Sequence, residues 1–591
     1  MFRRTAVFIF LSLSFQVGAS PKAADSAVFS MDETRRTLQD SSREIDQLIE
    51  QRRHRGFRDR ADAVSSKTVS SRTSSPQTVS PVLVEAPPCL AISGVYLQGI
   101  TLLSLAELNT LTALPGQCIT HNDVNQLAAE ITNLYIAKGY ITARVQFIPP
   151  NQNGFRQSDL IKNDLIKNEL HQKNELGINV VEGFVEAIEG GDRWVNSRML
   201  FPGLINQPLN LNQLDQGLDQ SNRLQSNKTT LDILPGRQNG GSIIRLNNQH
   251  STPWHLTALT DNYGQKSTGK WMGRLNASVD SPLGLSDFIS FSGVSTLDKP
   301  DTQYNRAATL FYSLPYGAVT FSGFSSYSQY TSHPLLQTQT VKMYGNAQQS
   351  GLRTEWVFQR NQSQISSLNS QLVYKRFNNY FIDTKTDVNS QTLTVLSLGM
   401  SHLQIIPNGL VTFDTGIEQG TSWFGAETSA NSLNKKFTKG KLSVNLQQYF
   451  NLFSMPYQFN SQLYAQYSPN GLPGVEWLNI TDRSAVRGFS NSALSADNGW
   501  YLRNTVSHAI ALPESTLTLR VGADIGQVKD QVKNARSRES WQSSAGLSAG
   551  MALRYQDFLA DIDVSHGKIL SPSNRREDES MQLLTRFSYT F

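Results

Sequence analysis

The chain has 591 residues, a net charge of +5 and a mean hydropathy of −0.35, and it is long enough for several domains. Beyond the N-terminal segment, no apolar run approaches the roughly 20 residues of a membrane-spanning helix. Basic residues are dispersed rather than clustered beside aromatic ones, which argues against nucleic-acid binding. Composition leaves a membrane β-barrel open, because barrel strands carry apolar residues only at every second position.

Residues 1–19 are predicted to be a secretory signal peptide. The segment has two N-terminal arginines, a short apolar core at residues 7–13 and small residues before the cleavage site. We expect cleavage after Ala19, with Ala24 as the alternative, and export from the cytoplasm.

Residues 30–60 predict a polar, weakly amphipathic helix. Its few apolar residues, among them Leu38, Ile45 and Leu48, fall near helical spacing between many Arg, Glu, Asp and Gln residues. Such a helix needs water or a polar surface on most sides, and a solvated surface helix is one interpretation. Residues 61–86 hold almost no large apolar groups, which is typical of a flexible linker.

Residues 87–150 predict a small α/β unit. Thr120 begins its helix with Asp123 at capping-box spacing, and Gly139 is a helix stop. The two cysteines of the chain, Cys89 and Cys118, lie in this unit. An oxidising compartment favours a disulfide between them, which closes a loop of about 30 residues and stabilises the fold by about 3 kcal/mol. No neighbouring Cys or His completes a ligand set, so no metal site is predicted.

A second α/β unit is predicted over residues 176–250, with strand, helix and strands in the order of the first unit. Asn210 is its expected helix cap. Between the two units, residues 151–175 form a low-complexity insert to which we assign no function.

From residue 251 to residue 591 the pattern changes to recurring segments of alternating polarity, separated by Gly, Asn, Asp, Ser and Pro. About 340 residues at roughly 21 per strand and turn predict about sixteen strands of an antiparallel transmembrane barrel. In the last segment Met581, Leu583, Tyr589 and Phe591 share one face, which suits a closing strand. Closure leaves no unpaired strand edge in lipid.

The pattern Gly546–Gly550 matches the G-x-S-x-G motif of serine hydrolases. That motif requires a strand–turn–helix context, whereas the residues that follow continue as a strand. Asp563, Ser565 and His566 are adjacent in one strand, which does not build a catalytic triad. We therefore predict no catalytic residue and no cofactor.

A turn-rich region, residues 468–499, contains the tetrapeptide Val486, Arg487, Gly488, Phe489. An arginine in such a turn is usually a solvated charge, and that reading stays open at this point.

The segment Ser515–Gly526 supplies a partner for this arginine. Its odd positions from 517 to 525 are apolar, so period two places Asp524 on the other face together with Gly522 and Gly526. There the carboxylate needs water or a cation, and an inward loop could bring Arg487 to it in a bidentate contact.

The motifs at residues 486–489 and 522–526 resemble those of two-partner secretion outer-membrane transporters, of the haemolysin and filamentous-haemagglutinin secretion and activation type. The likeness extends to the α/β units, through Val-Glu-Gly at residues 181–183, the run at residues 209–215 and Leu-Pro-Gly at residues 234–236. These units resemble paired POTRA domains.

The resemblance implies a mainly β protein: a 16-strand outer-membrane barrel of a Gram-negative bacterium, preceded by two periplasmic POTRA domains and a helix that plugs the lumen. It implies that the loop docks on the barrel wall through Arg487 and Asp524. It further implies ATP-independent export of one large exoprotein, recognised through its N-terminal secretion domain. Phe591 is similar to the C-terminal signal that barrel assembly machinery reads, and the lipid of the outer membrane would surround the barrel.

The chain departs from the family pattern at residues 480–485, where members of the family often have glycines. The loop tip is therefore expected to turn differently, and Arg483 is a rival partner for Asp524. An outer-membrane factor that inserts other barrels would use the same parts, and a porin or barrel enzyme is a third interpretation, which leaves the α/β units without a role.

Overall fold

The computed structural model describes residues 26–53, 55, 90–91, 94–108, 111, 118–148, 175–298, 302–336, 339–387, 390–426, 436–490, 494–529, 541–571 and 579–591. The predicted signal peptide, the linker and nearly all of the insert lie outside these residues. The predicted disulfide does too, because Cys89 is not among them and the side chain of Cys118 is not described.

The described residues before the barrel include five α-helices. They are α1 Ser26–Arg52, α2 Leu105–Leu108, α3 His121–Ala137, α4 Ser197–Leu200 and α5 Leu211–Asn222. The strands of the α/β units are β1 Leu90–Ala91, β2 Gly94–Gln98, β3 Cys118–Ile119, β4 Arg144–Ile148, β5 Glu175–Val181, β6 Phe184–Gly190, β7 Asn227–Pro235 and β8 Gly241–His250.

The barrel region carries the remaining strands, some of which are short and lie outside the wall. They are β9 Trp254–Asp261, β10 Met272–Asp280, β11 Phe288–Thr296, β12 Tyr304–Tyr316, β13 Val319–Ser332, β14 Leu335–Leu336, β15 Gln339–Thr340, β16 Met343–Arg360, β17 Gln364–Phe381, β18 Thr384–Lys385, β19 Gln391–Ile406, β20 Gly409–Thr421, β21 Thr438–Leu452, β22 Met455–Tyr467, β23 Leu478–Asn479, β24 Ser495–Ala496, β25 Asn498–Leu512, β26 Ser515–Lys529, β27 Gln542–Tyr555, β28 Phe558–Ser571 and β29 Gln582–Thr590.

The first α/β unit is a three-stranded sheet, β2-β5-β4, with β2 parallel and β4 antiparallel to β5. Helix α3 packs Leu127, Ile131 and Tyr135 against β5. The predicted capping box is confirmed, because the Thr120 hydroxyl accepts from the Asp123 amide while the Asp123 carboxylate accepts from the Thr120 amide.

The predicted boundary at residue 176 is wrong. Strand β5 completes the first sheet between β2 and β4, so residues 175–181 belong to the first unit, and the insert lies inside that unit rather than between the two. The alternation of apolar residues predicted the strand itself. It could not predict the sheet, because the partner strands are separated from it by the insert.

The second α/β unit is the sheet β6-β8-β7, with β6 parallel to β8. Helix α5 is capped by Asn210, whose side chain accepts from the Asn212 amide at 2.9 Å. Leu214 of this helix is fully buried against Val185 and Ile244 of the sheet.

Sixteen antiparallel strands close the barrel, with β29 hydrogen-bonded to β9, which confirms the predicted strand number; the two-residue β18 adds to β17. The alternation predicted for β26 holds in three dimensions, since Val521 is 59% exposed on the outer surface while Asp524 is buried on the inner one.

Helix α1, hereafter the lumen helix, lies inside the barrel. Its polar side chains contact the wall along its length: Thr34 donates to Asn379 at 2.6 Å, and Ser42 contacts Gln349 at 3.1 Å. The helix begins and ends earlier than predicted, because composition changes gradually here and offers no cap. Within the described residues, no helix is both long and apolar enough to cross a membrane.

Glu182, between the two sheets, joins the α/β units. Its carboxylate accepts from the Tyr135 hydroxyl at 2.6 Å and from the amides of Thr101 at 2.8 Å and Leu102 at 2.9 Å. Burial, and then the contact with Glu182, raises the pKa of Tyr135. The same junction is reinforced where the Leu211 amide at the start of α5 donates to the carbonyl of Gly139 at 2.8 Å.

We predict that Tyr135→Phe destabilises this junction by about 1–2 kcal/mol, because one hydrogen bond to a charged acceptor is lost. Hydrogen exchange of residues 121–137 in the full chain measures the effect. Tyr140→Phe is the matched control, since it removes the same group from the neighbouring ring. Equal protection in both variants would contradict the role given to Glu182.

Candidate functional site

The described residues between β22 and β25, 468–490 and 494–497, fold into the barrel and are called the inward loop here. Strands β23 and β24 pair with each other at its base. The loop shares a buried apolar cluster with the barrel wall. The cluster consists of Leu478, Ile480, Ala485, Val486, Phe489, Leu494, Ala496, Tyr501, Val528 and Ile569. The loop is therefore a packed part of the structure and its position is set by the wall.

Arg487 lies at the centre of this contact and meets Asp524 of β26. Its Nε donates to Oδ2 at 2.7 Å, one terminal nitrogen donates to Oδ1 at 2.6 Å, and its backbone amide donates to Oδ2 at 3.0 Å. The same terminal nitrogen donates to the carbonyl of Asn504 at 2.6 Å. The Asp524 side chain is 0% exposed. A bidentate contact this well buried holds only while both charges are present, because either one alone would lack solvation.

Glycines on the wall make room for the arginine. A Cβ at Gly522 would lie 2.1 Å from the Arg487 guanidinium, and a Cβ at Gly546 would lie 2.1 Å from the Arg487 carbonyl. A Cβ at Gly526 would lie 3.1 Å from Cγ2 of Val486 and equally close to Cβ of Tyr501. The wall is thus shaped for the motif at three strand positions.

The second half of the motif, Gly488 and Phe489, also packs closely on the barrel wall. Gly488 has a φ of +95° and its α-carbon faces the backbone of His566, where a Cβ would come within 2.2 Å. The Phe489 ring covers Gly567, so a Cβ at Gly567 would lie 2.7 Å from that ring. Only glycine combines that backbone conformation with that clearance.

Gly546–Gly550, the segment that matches the hydrolase pattern, lies within β27 and continues as a strand. Its first glycine faces the Arg487 backbone. Asp563 bonds Arg520, and strand alternation places it with Ser565 on the face opposite His566. In the described parts of the chain, no three His, Cys, Asp or Glu side chains gather in a way that could hold a metal ion.

Arg483, the rival partner, lies elsewhere. Its guanidinium lies 4.2 Å from the centre of the Tyr263 ring, while its carbonyl accepts from Arg503. The turn that replaces the family's glycines is built by Asp482, which accepts from the Ser484 amide at 2.8 Å. An aspartate can turn the chain in this way without glycine.

Asp482 also bonds the lumen helix, because Arg43 lies 3.2 Å from its carboxylate. Burial alone would raise the pKa of Asp482, but Arg43 and then Ser484 outweigh burial and hold it below the usual range. Gln39 donates to the carbonyl of Trp477 at 3.0 Å. The inward loop and the lumen helix therefore contact each other directly.

Sequence reasoning missed the other charged contacts of the lumen. Glu476 of the inward loop lies 2.6 Å from both Lys375 and Lys439 of the wall. Arg53, just after the lumen helix, lies 2.9 Å from Glu355 and 3.1 Å from Asp414. The signal available was that the wall partners, Lys375, Lys439, Glu355 and Asp414, lie on the inner faces of their strands.

A cavity of about 1490 Å³ remains beside the lumen helix, lined by the wall, the helix and the inward loop. Most of the residues that line it are polar or charged.

Phe591 lies where the barrel closes. Its amide donates to the Leu256 carbonyl at 2.9 Å, beside the start of β9, and the residue is 62% exposed.

Comparison with known proteins gives one consistent result. Residues 240–553 match the family described as haemolysin secretion/activation protein ShlB/FhaC/HecB, residues 90–155 match the ShlB-type POTRA domain, and residues 181–235 match a further POTRA domain family. The last range begins at residue 181, which agrees with the start of the second unit after β5.

Individual relatives match over nearly the full chain. The hemolysin transporter protein ShlB of Serratia marcescens is 52% identical over 589 residues, which is 99% of each chain. HpmB of Proteus mirabilis, also a hemolysin transporter protein, is 48% identical over 95% of each chain. Among solved structures, CdiB from Escherichia coli superposes with a TM-score of 0.78 at 26% identity, covering 95% of this chain and 98% of that one.

We predict that Gly522→Ala displaces Arg487 and loosens the inward loop by about 1–3 kcal/mol, the usual cost of overpacking. Limited trypsin digestion of the purified protein should then cleave after Arg483 or Arg487 sooner than in the wild type.

Gly440→Ala is the control for this substitution, because the nearest atom to its new Cβ would lie 3.8 Å away. The same digestion rate in both variants would argue against the close fit at Gly522.

Proposed function

Because the chain belongs to the haemolysin secretion/activation family of the ShlB/FhaC/HecB type, we propose that it exports one large partner protein across the outer membrane. The partner is of the haemolysin, adhesin or contact-dependent toxin type. It passes through the barrel from the periplasm to the cell surface. The proposal is carried by one observation, a closed barrel whose lumen holds a polar helix that hydrogen-bonds to the wall.

The lumen helix is proposed to be the resting plug, which leaves before the partner enters. Many of its contacts with the wall are hydrogen bonds and ion pairs, which water can replace, while its apolar contacts among the described residues lie at Leu38 and around Ile45. Polar contacts of this kind contribute little net stability when water takes their place, so withdrawal is not prohibitive.

The two α/β units are proposed to be periplasmic POTRA domains that capture the N-terminal secretion domain of the partner. Each three-stranded sheet has two outer strands, β2 and β4 in the first and β6 and β7 in the second. An extended polypeptide can add to such an edge by backbone hydrogen bonds.

The inward loop is proposed to stay docked through Arg487 and Asp524 and to shape the pore during transport. No phosphate-binding motif accompanies this machinery, so folding of the partner outside the cell would supply the direction. The proposal needs no catalytic group and no cofactor. The apolar outer surface would contact outer-membrane lipid, and Phe591 would be read by the barrel assembly machinery during biogenesis.

Barrel assembly is the alternative function. It is disfavoured by the curated relatives, since proteins that match this chain over 99% and 95% of its length are named as transporters of haemolysin.

We predict that Arg487→Ala reduces export of the partner at least tenfold while the barrel still inserts in the outer membrane. The reason is that Asp524 would be left buried without its cation, a loss of about 3–5 kcal/mol for the docked loop. Secreted partner in the culture medium and heat-modifiable barrel in the membrane fraction are the two measurements.

The matched control is Arg554→Ala, an exposed arginine on β27. Normal export by Arg487→Ala would remove the role proposed for the loop. Loss of the inserted barrel would make the Arg487–Asp524 contact structural instead.

A direct test of the partner class is co-expression with the haemolysin that the Serratia relative transports. We expect haemolysin in the medium, and we expect it to bind the purified full-length protein through its N-terminal region. Binding of many unfolded barrel proteins instead, with no export, would favour barrel assembly.

A further inference from the structure

Three separate parts of the chain meet at the carboxylate of Asp280, at the periplasmic end of β10. Its side chain is 0% exposed. One oxygen accepts from the amide of Ser226 in the second α/β unit at 2.9 Å and lies 3.4 Å from Nε2 of His255 on β9. The other oxygen lies 3.6 Å from the guanidinium of Arg52, at the end of the lumen helix.

The second α/β unit also contributes directly to the seat of the lumen helix. Leu224, just after α5, is fully buried in one apolar cluster with Ile45 of the helix and Phe288 of the wall. The Arg52 guanidinium lies 3.2 Å from the centre of the Phe288 ring, and it donates to the Arg223 carbonyl at 3.4 Å. The end of the helix is therefore held by the wall and the second α/β unit together.

The second α/β unit is itself docked on the barrel by contacts that do not include the lumen helix. Asp219 of α5 lies 2.7 Å from Arg360 of β16, and Gln220 donates to Thr320 of β13 at 2.8 Å. A shift of the unit on the barrel would pull Ser226 and Leu224 away from Asp280 and from the lumen helix. A buried carboxylate that loses a donor becomes costly, and the site as a whole is weakened.

We propose that Asp280 is the positioning residue through which docking of the second α/β unit controls retention of the lumen helix. Undocking of the unit weakens the hold on Arg52 and favours withdrawal of the helix. By linkage, withdrawal of the helix also loosens the unit. The inference rests on the proposed function, in which the helix must leave the lumen before transport.

The test is a double-mutant cycle on the purified full-length protein in planar lipid bilayers, with the open-channel fraction as the measure of helix withdrawal. Asp219→Asn loosens the second α/β unit at a distance from Asp280. We expect it to raise the open fraction about fivefold in the wild-type background, within the usual range for coupled sites. In the Asp280→Asn background, whose own open fraction is already raised, we expect less than a twofold further increase.

Asp261→Asn is the matched control background. Asp261 is equally buried on the neighbouring strand and bonds a wall arginine, Arg274, at 2.9 Å. The fivefold response to Asp219→Asn should persist there. The same fold-change in the Asp280→Asn background as in the wild type would overturn the proposal, because retention of the helix would then not depend on Asp280.

Should Asp280→Asn fail to give a heat-modifiable barrel, Arg52→Gln replaces it, since this change removes the same ion pair from the lumen helix and replaces no residue of the barrel wall; the same two outcomes then decide. The measurement uses no partner protein, which separates the two claims. If the effect of Asp219→Asn depends on Asp280 but the protein exports no partner, only the proposed function is contradicted. If the partner is exported normally but the effects of Asp219→Asn and Asp280→Asn are additive, only the role of Asp280 is contradicted.

Discussion

The contact between Arg487 and Asp524 determines where the inward loop can lie. Asp524 is buried on the barrel wall and accepts three hydrogen bonds from one residue of the loop. A carboxylate in that position without a cation would be strongly unfavourable, so the loop and the wall stabilise each other. The glycines at 522 and 546 are part of the same constraint, because any side chain there would occupy the volume of the arginine.

The docked loop in turn sets the environment of the lumen helix. Arg43 bonds Asp482 of the loop, and Gln39 bonds the Trp477 carbonyl. A polar lumen accepts a polar helix, and the contacts between them can be exchanged for water or for another chain. The apolar contacts are the exceptions: Leu38 packs with Phe377 of the wall and Val475 of the loop, and Ile45 packs where the second α/β unit also reaches the barrel. The second α/β unit thus touches one of the apolar contacts that hold the helix in the lumen.

Local patterns predicted much of this architecture. Capping at Thr120 and Asn210, the alternation along β26 and the number of barrel strands all depend on residues close together in the chain, and each is confirmed. The predicted boundary at residue 176 was wrong because it depends on residues that are far apart in the chain. A strand is recognisable from its own residues, but its sheet is defined by partners, and those of β5 lie on the far side of the insert.

The sequence by itself determined which residues of each strand face lipid and which face the lumen, because side-chain direction follows from a period of two. It also determined that the lumen helix is polar, because most of its residues are Arg, Glu, Asp, Gln, Ser or Thr. Only the tertiary structure decided which lumen charges meet: Thr34 and Asn379 are 345 positions apart, and Arg52 reaches a carboxylate on β10. Closing the barrel brings distant strands around one helix, and no local pattern encodes the rotation and depth at which that helix lies.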